Sequence, residues 1–129
     1  MSITLQSKVI DIWYTVHIMF RTTSQHTACG DCPIAQTADL IGDSTILLIV
    51  RDLAKGPKRF SDLSLSLPSV STRTLTQKLK VLEAEGVINK NKFAEFPPRI
   101  EYVLTKKGKG LKTVIKAMEK YGETFLKTQ

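Results

Sequence analysis

Two constellations in the sequence carry side chains whose types and spacing could do chemistry. The first is His26, Cys29 and Cys32, spaced His-x-x-Cys-x-x-Cys. Cys32 precedes Pro33, and proline is favoured at the first position of a helix. A thiol at a helix N-terminus has its thiolate stabilised, and thiolate character sets reactivity. The Cys-x-x-Cys spacing of Cys29 and Cys32 suits a local disulfide, or a mixed one between subunits. Three readings stand open: inert thiols, redox sensing, and half of a metal site. A tetrahedral zinc would need a fourth ligand, from His17 or a partner chain. The second constellation is Ser71, Arg73, Thr74, Gln77, Lys78 and Lys80. These are short donors and cations within ten residues, the groups that read base edges and neutralise phosphates.

The elements that must position the second set are legible. Residues 60–86 read as two helices joined by a tight turn. The first is short and buries Phe60, Leu63 and Leu67. Pro68 breaks it, since proline lacks the backbone N–H and biases Leu67 away from helical geometry. Ser71 stands at the N-cap of a second helix, expected over 71–85. Its leucines Leu75, Leu79 and Leu82 recur at helical spacing, so Arg73, Thr74, Gln77, Lys78 and Lys80 are expected on the other face. Gly86 can take the left-handed conformation that closes a helix. An ordinary solvated amphipathic helix is the alternative for this stretch alone.

Around this core the chain falls into order. Residues 3–21 read as an aromatic-rich apolar helix, with 1–24 as an extra N-terminal element that either packs on its own domain or, the favoured reading, forms an oligomer interface. A polar loop over 22–31 follows. Helix is expected over 33–54 with a break near Gly42, ended by Gly56 and Pro57. Lys58 and Arg59 then stand where they could meet phosphates. Residues 87–105 read as a β-hairpin, basic through Lys90, Lys92 and Arg99. Thr105 is a candidate cap for a C-terminal helix over 110–127, although Gly108 and Gly110 argue against an early start. Helices, a helix–turn–helix, a hairpin and a long helix make an α+β, mostly α, winged helix-turn-helix: one domain over 1–129, with the hairpin lying beside the reading helix.

Charge supports this. Residues 1–50 hold two basic and four acidic side chains, and 51–129 hold 17 basic and 8 acidic, a net of −2 against +9. Such asymmetry points to a polyanionic partner for the C-terminal part. A membrane surface is disfavoured, because the cations spread over several elements instead of one apolar-anchored helix. No secretory signal or spanning segment is evident, and two cysteines make no secreted disulfide framework, so a cytoplasmic location is expected. There is no Gly-rich phosphate loop, nucleophile elbow or paired metal-binding histidine, and Asp39, Asp43 and Asp52 read as caps and pattern residues, so neither an enzyme nor a cofactor is expected.

Ordered blocks over about 32–126 carry a family resemblance. They run through Cys32 and Pro33; 39–43; Leu47, Leu48 and Ile49; Arg51, Asp52 and Leu53; 56–63; and Ser71, Arg73, Leu75, Thr76, Leu79, Leu82, Glu83 and Gly86. They continue through 97–105 and Gly108. The chain resembles the HxlR-type winged-helix transcriptional regulators of the MarR-like group. The resemblance implies a homodimer built on N- and C-terminal helices, bound to near-palindromic double-stranded DNA, with a cysteine at the position of Cys32 that senses oxidants in some members. The family's Lys-Trp pair is replaced here by Ser44 and Thr45, and Trp13 is a candidate to fill that space. A winged helix used as a protein-interaction adaptor, without DNA specificity, is the rival reading.

Overall fold

A computed structural model of the chain describes residues 32–127. The chain divides into two units, Met1–Leu40 and Ile41–Gln129. Of the first unit the described part is Cys32 and most of helix α1 (Pro33–Ile41). Proline opens this helix, and the Thr37 hydroxyl donates to the Pro33 carbonyl at 2.7 Å. The N-terminal helix expected over 1–24, with Trp13, lies outside the described residues. So do His17, His26 and Cys29.

The second unit follows a break at Gly42 and Asp43. Helix α2 (Ser44–Leu53) starts there because Asp43 is a strong N-cap: one carboxylate oxygen accepts from the N–H groups of Thr45 at 2.9 Å and Ile46 at 3.2 Å. Helix α3 (Phe60–Ser66) is opened by the Asp62 carboxylate, which accepts from the Arg59 N–H at 2.9 Å. Helix α4 (Thr72–Ala84) is capped by the Ser71 hydroxyl, which accepts from the Thr74 N–H at 3.1 Å. It ends at Gly86, whose φ of +72° is a conformation that side-chain-bearing residues rarely adopt. Strands β1 (Ile88–Phe93) and β2 (Arg99–Leu104) pair antiparallel with Ile88 opposite Leu104 and Phe93 opposite Arg99.

Helix α5 (Lys106–Phe125) begins earlier than the expected 110. Thr105 caps it, its hydroxyl accepting from the Gly108 N–H at 3.2 Å. Gly108 is there for space: a Cβ would run into the Val87 carbonyl oxygen and approach Leu104 Cδ2 to 3.0 Å. The glycine that argued against helix on propensity is what allows this helix to close on the wing.

The core gathers one face from each element. Ile46, Ile49 and Val50 of α2, Leu63 of α3, and Leu75, Leu79 and Leu82 of α4 meet Val87 and Ile88 at the base of the hairpin, each at most 2% exposed. Burying such aliphatic side chains is worth about 1.5–3 kcal/mol apiece before chain entropy is counted. Asp52 is the buried charge among them; it takes Arg51 Nε at 2.9 Å and the Ser66 hydroxyl at 2.5 Å, tying the ends of α2 and α3. Among the described residues no single helix is long and apolar enough to cross a membrane.

Candidate nucleic-acid interface

Helix α4 is fixed from within. Leu75 and Leu82 have no solvent exposure and Leu79 has 2%, so the buried face of α4 is set by three leucines on one side. At about 100° per residue, Arg73, Gln77 and Lys80 fall on the opposite side. Arg73 and Lys80 are exposed and Gln77 is half-buried. At the N-terminus the Ser71 hydroxyl donates to Thr74 Oγ1 at 2.9 Å while capping Thr74 N–H. Ser71 is thus a cap first, and its bond positions the Thr74 hydroxyl at the helix entrance.

Lys78 sits elsewhere. The charge pattern grouped it with the outward donors, but its Nζ lies 2.7 Å from the second carboxylate oxygen of Asp43, and both side chains are largely covered. Burial acts to raise the Asp43 carboxyl, but the Lys78 ammonium and the Ile46 and Thr45 N–H groups outweigh it together. Asp43 therefore titrates below the ordinary carboxylate value.

The wing separates its cations. Side chains alternate along a strand, so Lys90 and Lys92 share one face of the hairpin while Phe93 and its partner Arg99 lie on the other. Both lysines are exposed. Arg99 is engaged within the wing instead: its guanidinium lies 4.3 Å over the Phe93 ring, with Nη2 at 3.3 Å from Glu95 Oε1 and Nε at 3.6 Å from Glu101 Oε1. These contacts make Arg99 a brace of the hairpin tip.

Lys58 and Arg59 are held by a feature that the sequence did not disclose. The Lys58 N–H donates to the Tyr102 carbonyl at 3.1 Å, and the Tyr102 N–H returns a bond to the Lys58 carbonyl at 2.8 Å. This one-residue antiparallel bridge adds a short third edge to the sheet and joins the entrance of α3 to the wing. Tyr102 is buried, and its phenol is pushed up, mainly by burial and then by the charge of Glu83. A long-range backbone pairing of one residue leaves no periodic trace in sequence.

A second surface lies between α2 and α5. Leu47, Leu48, Ile115 and Met118 line a groove of about 420 Å³, flanked by Ser44, Arg51 and Glu119. Along the same helix Met118, Tyr121 and Phe125 are 49–70% exposed, and the Tyr121 and Phe125 rings lie 5.1 Å apart. Cys32 is partly exposed and stands directly before Pro33. Among the described residues no three His, Cys, Asp or Glu side chains are grouped to hold a metal ion.

This arrangement has close parallels among known proteins. An HTH-type transcriptional regulator of Synechocystis sp., sll1512, is 41% identical over 98 residues, covering 76% of this chain and 73% of its own. A regulator from Porphyromonas gingivalis W83, described as a MarR-family transcriptional regulator, shares the fold with a TM-score of 0.69 at 30% identity, over 72% of this chain and 91% of its own. The redox regulator HypR in its oxidised form matches equally well, with a TM-score of 0.69 at 33% identity over 72% and 96% of the two chains. The family model described as HxlR-like helix-turn-helix matches residues 40–129, which takes in the whole of the helix–turn–helix, wing and C-terminal helix. With its capped second helix of the helix–turn–helix and its basic hairpin, the chain belongs to the HxlR-like helix-turn-helix family of transcriptional regulators.

Proposed function

We propose that the chain is a homodimeric, sequence-specific DNA-binding regulator in which α4 enters the major groove. The observation that carries this is the split of α4 into a fully buried leucine face and an outer face of Arg73, Gln77 and Lys80. Arg73, Gln77 and the Thr74 hydroxyl are the base-edge candidates. Lys58, Arg59, Lys80, Lys90 and Lys92 are the phosphate candidates, on the α3 entrance, α4 and one face of the wing. Arg99 serves the wing's own shape.

The exposed aromatic end of α5 and its apolar groove support the dimer, since an apolar strip of this kind in a small chain needs a partner. Two copies then read half-sites about 34–36 Å apart on a near-palindromic operator. Cys32 is the proposed point of redox response, supported by its place before a helix N-terminus and by the likeness to HypR. A mobility shift with the DNA upstream of the chain's own coding sequence tests the reading. The shift weakens as salt rises and is lost with scrambled DNA. Equal binding to both sequences would favour non-specific attachment, and no binding to either would favour a protein-interaction adaptor. Mass spectrometry of Cys32 after mild oxidation, beside a Cys32→Ser protein, tests the sensor; a Cys32→Ser protein that still releases DNA under oxidant removes it.

A further inference from the structure

We propose that Asp43 and Lys78 form a positioning pair that fixes how α4 presents its outer face, and that Lys78 acts on DNA only through this pair. The inference rests on the reading role given above to α4.

Lys78 is five residues from Arg73, about 140° further round the helix, so it cannot share the outward direction of Arg73. Its ammonium is 2.7 Å from Asp43 Oδ2, with the two side chains 26% and 31% exposed. The other oxygen of Asp43 is held by the N–H groups of Thr45 and Ile46. The carboxylate is therefore anchored at two points of the first turn of α2, and it offers Lys78 a fixed target. The large fully buried side chains of α2 and α4 (Ile46, Ile49, Val50, Leu75, Leu79 and Leu82) are all aliphatic. The burial of apolar surface is itself non-directional. The ion pair is directional and sits on the flank of α4, between the buried leucines and the outer face. Base-edge readout needs donors placed within about half an ångström, whereas phosphate contacts tolerate more. A pair that limits rotation of α4 therefore acts on sequence discrimination before it acts on affinity for DNA in general.

The test uses the full chain, a selected duplex and a scrambled duplex, with affinity read by fluorescence anisotropy over a salt series. Asp43→Asn is the informative variant, because asparagine caps a helix about as well as aspartate. It removes the ion pair and spares the start of α2. Asp43→Asn and Lys78→Gln should each weaken the selected duplex by a similar factor, with about fivefold as the ceiling set by the full value of a partly covered ion pair. Scrambled-DNA affinity and the salt slope should hold. The double variant should be no weaker than the weaker single, and Lys78→Arg should restore discrimination. If Lys78 instead met a phosphate, Lys78→Gln would weaken both duplexes and reduce the salt slope by about one, while Asp43→Asn would tighten both by removing a negative charge. That pattern overturns the proposal. So does a shift in the denaturation midpoint with the ratio of the two affinities unchanged, which would mark a purely structural pair. A wild-type protein that binds both duplexes alike overturns the reading role and this inference together; a discriminating wild type with an equally discriminating Asp43→Asn overturns this inference alone.

Discussion

Replacing Gly108 by alanine should destabilise the chain, against the usual direction of such a change inside a helix. In an open helix interior the exchange is worth about 1 kcal/mol of stability through propensity. Here the new Cβ would collide with the Val87 carbonyl oxygen and press on Leu104 Cδ2 at 3.0 Å. The carbonyl cannot step aside cheaply. It accepts from the Thr105 N–H at 3.0 Å and from the Thr105 hydroxyl at 3.1 Å, and Val87 is fully buried. Overpacking of this kind costs about 1–3 kcal/mol, and each hydrogen bond given up adds about 1 kcal/mol. Set against the propensity gain, the net loss is about 1–3 kcal/mol. Gly110, two residues on, is the internal control: nothing lies within 4 Å of its would-be Cβ. Gly110→Ala should therefore gain about 0.5–1 kcal/mol. Urea midpoints of the three proteins at one fixed protomer concentration give the comparison. A Gly108→Ala midpoint at or above wild type would refute the claim that this glycine exists for close approach.

The other expectations are more local. Arg73→Ala should relax preference at one base-pair position by about 1–3 kcal/mol, measured across a panel of single-substitution duplexes. Lys90→Ala should weaken all sequences alike and lower the salt slope by about one; an unchanged slope would remove the wing from the interface. Phe125→Glu places a charge on the exposed aromatic end of α5 and should shift sedimentation from dimer to monomer with the helical signal retained. Asp43 carries a pH signature as well. Its folded pKa is lowered, so its contribution is present above the ordinary value of 3.8 and is lost as pH falls through the lowered folded value. The stability difference between wild type and Asp43→Asn should accordingly be full at neutral pH and close in strong acid, as read by urea titrations at both.

What was legible in the sequence was whatever depends on local pattern. Leu75, Leu79 and Leu82 placed α4, and Ser71 and Gly86 bounded it to within a residue. The two arms of the wing and the break at Gly42 followed from alternation and from turn residues. What escaped was set by partners distant in sequence. Lys78 looks like any outward lysine until Asp43, 35 positions earlier, is brought beside it. The contacts of Arg99 with Phe93 and Glu95 likewise appear only once the hairpin folds. The early start of α5 was hidden because helix propensity penalises Gly108, while the packing that demands a glycine there comes from Val87. The pairing of Lys58 with Tyr102 belongs to the same class.

The central claim is that α4 reads base sequence. In-vitro selection of bound duplexes by the wild-type chain and by Arg73→Ala tests it most directly. Wild type should enrich two related half-sites about one helical turn apart, and Arg73→Ala should lose preference at a single symmetric position in each. Enrichment of no sequence, or identical enrichment by both proteins, would contradict the account.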